Sequence, residues 1–169
     1  YELRDNLAIA HLLARVYIDD QRWDDAIEEL DRVLDGEPEN YDAYYDLGHV
    51  YFELGDYEGA ISNFETVTQY REDSELLFYS LAQAYEANNE IDKAISNYLK
   101  AIAVNDKFTL AYKKVAILFM ARNDFEDALE YFEEYAKGRI SVFSFNNRAE
   151  GVFERGLMYE LNNATLENK

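Results

Sequence analysis

Two histidines, His11 and His49, are the only imidazoles in a chain of 169 residues that carries thirty-five carboxylates, sixteen basic side chains and no cysteine. From these types any proton transfer, metal binding or nucleophilic attack would have to be built. Without a thiol there is no cysteine nucleophile, no thiolate metal site and no disulfide framework. A zinc site needs three or four ligands, and two histidines with no pattern for a third read as polar side chains. The sequence contains no His-Glu-x-x-His, no phosphate-binding glycine loop, no EF-hand loop and no Gly-x-Ser-x-Gly elbow. At a net charge of −19, carboxylates that meet in space are expected from abundance alone. No enzymatic activity, metal or cofactor is expected.

The same charge repels phosphate backbones and anionic headgroups, so no nucleic-acid partner is expected and membrane surfaces are poor candidates. Hydrophobic residues make up 49% and aromatics 15% of the chain, enough for a packed core despite 30% charged residues. Pro38 is the sole proline, so long helices are the simplest secondary structure. No apolar run reaches the roughly 20 residues of a membrane span. The lack of cysteine fits a reducing compartment, and a cytoplasmic setting is expected. The chain opens on Tyr1 rather than Met, which predicts a fragment of a longer protein.

The elements that position these residues emerge from residues 41–74, YDAYYDLGHVYFELGDYEGAISNFETVTQYREDS. Large residues stand at Tyr44, Leu47, Tyr51, Tyr57 and Phe64, small ones at Gly48 and Ala60, and Gly55-Asp56 marks a turn. This order, Y-x2-L-G-x2-Y followed by G-x-Y-x2-A-x3-F, resembles the tetratricopeptide (TPR) repeat, a helix-turn-helix unit of about 34 residues. The frame recurs over residues 7–40, 75–108 and 109–142 without insertion. Each copy keeps a small residue on each helix: Ala14 with Ala26, Ala82 with Ala94, Ala116 with Ala128. Residues three or four apart share a helix face, so the frame is an apolar stripe, and the small positions let helices approach to about 8–10 Å. The resemblance implies an all-α fold, a right-handed α-solenoid of antiparallel helix pairs (the TPR superhelix), with neighbouring repeats burying each other's faces. Residues 1–6 read as the end of a preceding repeat or a linker. Residues 140–148, ISVFSFNNR, read as irregular, the connection proper being 143–148. Residues 149–169 read as a capping helix or a partial fifth repeat, with a glycosylation sequon at Asn163.

In the TPR family the first helices line a concave groove that receives an extended peptide or a helix. Carried onto this sequence, that implies a candidate binding groove of His11, Arg15, Tyr45, His49, Phe52, Tyr79, Gln83, Lys113 and Ile117. Tyr45, Phe52 and Tyr79 lie outside the packing frame, and both histidines share their face. Such a wall suits apolar anchors of a protein or peptide partner, with lateral packing between adjacent first helices as the competing explanation.

Chaperone-binding members of the family clamp a partner's terminal carboxylate with basic side chains. The matching positions here are His11, Arg15, Asp46, Leu76 and Ser80; only Arg15 is basic and Asp46 repels an anion, so a chaperone tail is not the expected partner. Net charge per repeat runs −7, −7, −2 and −1 along the chain, from ten, eight, five and six carboxylates against three, one, three and five basic residues. That gradient favours a basic partner, or a homo-oligomer formed acidic end to basic end.

Overall fold

A computed structural model describes the backbone of residues 2–142 and the side chains of residues 6–138. The connection at 143–148, the C-terminal helix at 149–169 and the sequon at Asn163 lie outside the described residues. Among the described residues eight α-helices follow in order: α1 (Glu2–Asp19), α2 (Trp23–Gly36), α3 (Tyr41–Glu53), α4 (Tyr57–Thr68), α5 (Glu75–Ala87), α6 (Ile91–Val104), α7 (Thr109–Ala121) and α8 (Phe125–Val142). The openings of α3, α5 and α7 are thirty-four residues apart, at 41, 75 and 109.

Two expectations at the ends change. Residues 2–6 are not a separate segment but the opening turns of α1. Residues 140–142, read as the start of an irregular stretch, continue α8. Ile and Val lower helix propensity only slightly, and no proline or left-handed residue halts the backbone there.

The turn inside each helix pair has one solution, used four times. Gln21, Gly55, Asn89 and Asn123 all have positive φ, at 58°, 80°, 61° and 65°. The following residue's N–H reaches back five positions: Arg22 to Tyr17, Asp56 to Tyr51, Glu90 to Tyr85 and Asp124 to Phe119, at 2.8–3.0 Å. The left-handed residue itself donates to Ile18, Phe52, Glu86 or Met120. These paired bonds form a Schellman motif, which satisfies the last carbonyls of the first helix while reversing the chain. Helix starts are capped less uniformly. The side chains of Asn40, Asp56 and Ser74 accept from the N–H of Ala43, Gly59 and Leu77, whereas Arg22 and Phe108 supply no side-chain cap.

The chain divides into two compact units, residues 1–94 and 95–169. In the first, α1 packs on α2, α3 on α4, and α2 and α4 each on the helix that follows. Its core joins Ala10, Ala14, Leu30 and Val33 to Ala43, Leu47 and Val50, with Tyr17, Trp23 and Tyr51 at the margin. Gly48 in α3 shows why the frame needs a small residue. A Cβ there would stand 2.6–2.9 Å from the buried Phe64 ring of α4, so glycine is what lets a phenylalanine occupy that level. In the second unit α7 packs on α8 through Ala116, Ala128, Phe132 and Tyr135.

Candidate functional site

Position 46 on α3 falls one residue from the aromatic Tyr45, so its side chain points toward α1 instead of the α4 core. Asp46 there is the centre of an ionic cluster. One carboxylate oxygen lies 2.8 Å from His11 Nε2 and 2.8 Å from Arg15 Nε. His11 and Arg15 are four apart on α1 and therefore share its face. Asp46 was expected to repel an anion; it also holds the single arginine of that face. The Arg15 guanidinium is driven further toward its charged form, first by the hydrogen bond to Asp46 and then by its charge. Its side chain remains half exposed while Asp46 is mostly covered. A cleft of about 350 Å³ opens beside them, bordered by Leu7, Ala8, Leu12 and Asn40.

The next part of the site is aromatic. Tyr45 and His49, one helical turn apart, meet edge to face at 4.6 Å between ring centroids. Both rest on Phe64, at 5.7 Å and 5.1 Å. Burial lowers the His49 imidazole from its ordinary pKa, against the opposing pull of Asp46 and Glu53. Phe52 packs on Tyr57 at 5.5 Å, across the α3–α4 turn. On α5, Tyr79 and Gln83 are half-buried, and burial followed by the Glu86 charge raises the Tyr79 phenol. Packing within the α3–α4 pair thus covers part of the Tyr45 and Phe52 rings, and Tyr79 is half-buried on α5; none of the three is fully covered.

Lys113 and Ile117 belong to the second unit. Ile117 packs against the core of α7 and α8, whereas Lys113 is exposed, its ammonium 5.8 Å from the Tyr135 ring centroid. The structure therefore brings His11 and Arg15 together around Asp46, and Tyr45 and His49 together over Phe64, within the first unit.

A second cleft escaped the sequence. Tyr41 stacks on Tyr70 at 4.0 Å, and Arg71 pairs with Asp42 at 3.0 Å. These two contacts tie the start of α3 to the α4–α5 connection and border a space of about 620 Å³ lined also by Glu37, Pro38 and Glu39. The only trace in the sequence is the Tyr70-Arg71 pair ahead of Ser74, at a place where the repeat frame prescribes nothing.

Chemically the site combines half-buried rings with an ion-paired arginine. Among the described residues no group of three or more His, Asp or Glu could hold a metal ion, and no buried side-chain polar atom lacks a partner. No helix among them is long and apolar enough to cross a membrane.

Two family models described as "Tetratricopeptide repeat" match the chain, over residues 11–74 and 51–118. A comparison with curated proteins finds no match. Among solved structures, one described as "Crystal structure of MamA protein" superposes with a TM-score of 0.81 at 22% identity, covering 95% of this chain and 85% of that one. A second MamA crystal structure gives 0.79 at 24% identity, covering 83% and 82%. A third, "MamA 41-end from Desulfovibrio magneticus RS-1", gives 0.76 at 19%, covering 80% and 76%. At these identities the likeness establishes the fold: helices in antiparallel pairs of the repeat type.

Proposed function

Since this chain belongs to the tetratricopeptide-repeat family, we propose that it is a non-catalytic interaction scaffold that receives a peptide or helix of a partner protein on the first helices of its repeats. The observation that carries this reading is the set of off-frame aromatics, Tyr45, Phe52 and Tyr79, which the packing frame does not require and which stay half-buried. Half-covered rings on a rigid helical support lose little entropy on binding and present area for apolar anchors. His49 and Gln83 add polar edges among them, and in the second unit the reading falls on Lys113, since Ile117 is engaged in packing.

Two features support the partner class. Arg15 is paired with Asp46, so its charge is already met at the position where a clamp for a terminal carboxylate would need it. Exposed Glu53 and the acidic balance of the first two repeats favour a segment with basic as well as apolar residues. A Tyr45→Ala, Tyr79→Ala variant with an unchanged helical spectrum is expected to lose the partners that the unmodified chain captures and cross-links. Equal capture by the folded variant removes this reading.

A further inference from the structure

The cleft beside the start of α3 is assembled from residues that the repeat frame does not call for. Tyr41 and Tyr70 stack there, with 24° between their ring planes. One repeat earlier the same two positions hold Leu7 and Gly36, and two repeats later Thr109 and Gly138. A Cβ on those glycines would stand 2.5 Å from Leu7 and 2.4 Å from Thr109, so in both pairs the two helices close directly on each other. In the second pair two rings take that place, and Tyr70 stays 61% exposed. Desolvation and then a hydrogen bond to Tyr70 raise the Tyr41 phenol, so the hydroxyls meet as well as the rings.

The lining is charged as well as aromatic. Glu37, Glu39 and Asp42 stand against the single guanidinium of Arg71. Glu37 accepts from Asn40 Nδ2 at 3.1 Å, which holds it at the wall, and Glu39 is exposed. Asp42 and Arg71 are both 51% exposed, and an ion pair so open to water is weak. Nor does the frame supply it: the positions equivalent to Asp42 are Ala8, Leu76 and Leu110.

We propose that this cleft is a subsite for an arginine side chain of a partner protein. A planar guanidinium can lie against the exposed side of the tyrosine pair while its N–H groups reach the Glu37 and Glu39 carboxylates. Three carboxylates to one guanidinium set the sign of the occupant and repel an anion. A lysine ammonium gains the charge but not the stacking. Arg71 is then a resident competitor, since its bond to Asp42 is one that an incoming guanidinium can take over.

The cleft adjoins the groove. Asp42, Tyr45, His49 and Phe52 are spaced to share one face of α3. Along the helix axis Asp42 is about 4.5 Å from Tyr45 and about 15 Å from Phe52. An extended segment spans that distance in about five residues. This part rests on the groove reading above, and on it the partner carries an arginine with apolar residues among the next few positions to one side.

The test uses N-acetyl-arginine amide as the probe and NMR of the isotope-labelled chain as the readout. The probe is expected to shift the amide signals of Glu39, Tyr41 and Arg71 saturably, with a dissociation constant on the order of 1 mM. Glu39→Gln and Tyr70→Ala should each weaken it about 2–5-fold, and Arg71→Gln should tighten it by a similar factor. Glu28→Gln makes the same charge change on the exposed face of α2 and should leave binding unchanged. No saturable shift, an equal loss in Glu28→Gln, or equal binding of N-acetyl-lysine amide overturns the proposal. So do shifts at these residues produced by inorganic phosphate. Sedimentation showing a dimer of the unmodified chain that Glu39→Gln abolishes also overturns it and assigns the cleft to a second copy. The two readings fail separately. Equal capture by the Tyr45→Ala, Tyr79→Ala variant removes the groove and leaves the probe shifts in place, whereas absent shifts with capture still lost remove only this subsite.

Discussion

The α1–α2 and α3–α4 pairs are built on one frame and packed in one unit, yet they meet the same demands with different residues. At the level where the helices cross, the first pair has Ala14 and Leu30, the second Gly48 and Phe64, and all four are buried. At the turn the first pair has Gln21 in the left-handed region and the second has Gly55. At the start of the second helix Arg22 provides no side-chain cap, while Asp56 accepts from Gly59 N–H at 2.9 Å. The frame therefore specifies a sum of volumes and a hydrogen-bond pattern, and neighbouring positions share out how each is reached.

The sharpest way to break the comparison is to move one half of the first pair's solution into the second. In Gly48→Ala the new methyl group meets the Phe64 ring well inside contact distance, and the expected loss is about 1–3 kcal/mol by overpacking. Phe64→Leu removes the obstruction. The double variant, which reproduces the Ala14–Leu30 set, should be more stable than the sum of its single changes implies. Chemical denaturation of all four proteins measures that coupling; simple additivity would mean that the two positions do not trade volume.

A smaller contrast lies at the helix starts. Asp56→Ala should cost about 1 kcal/mol, since it frees the Gly59 N–H and removes an acidic side chain from a helix N-terminus. Arg22→Ala should stay within about 0.5 kcal/mol, because its pairing with Asp25 at 2.7 Å is exposed. Equal losses in urea titrations would show that capping contributes nothing to the difference between the pairs.

The helix pairs were legible in the sequence because the frame is a local pattern: Tyr51, Tyr57 and Phe64 announce their helices within one repeat. Gly55 announced its turn through the one residue type with no left-handed penalty, and Asn89 and Asn123 use the next most tolerant type. Gln21 gave no such signal, since glutamine in that conformation is imposed by the Schellman bonds around it. The site was legible only as a face. Asp46 binding His11 and Arg15 depends on side chains meeting across 35 and 31 residues of chain, which no local pattern encodes. The same holds for Phe64, a frame residue that also serves as the floor under Tyr45 and His49.

At Gln21 the comparison can be sharpened with a gain. Gln21→Gly gives the first pair the turn residue of the second and should stabilise by about 0.5–1 kcal/mol, because the left-handed strain exceeds the entropy that glycine adds to the unfolded chain. Gly55→Ala should lose about 1 kcal/mol even though a Cβ there meets nothing within 4 Å. Thermal denaturation decides both signs, and a loss at Gln21 would show that its side chain holds the turn.

The smallest expected effect concerns protons. His49 is a histidine whose folded pKa is depressed, with burial as the first cause. Its unfolded counterpart titrates near 6.5, so above that pH neither state is protonated and the imidazole costs nothing. As pH falls through 6.5 the unfolded chain takes up the proton first, and stability declines until the folded imidazole also titrates at its lower pKa. The position 34 residues later is Gln83, which has no charge to gain. His49→Gln should therefore abolish the part of the stability slope that lies just below pH 6.5 while leaving the carboxylate-driven decline at lower pH in place. The urea midpoint of the unmodified chain, measured against that of the variant in steps from pH 7.5 to 5, should fall relative to it as the pH falls. Parallel curves would mean that the Tyr45–Phe64 enclosure admits the charged ring as readily as water does.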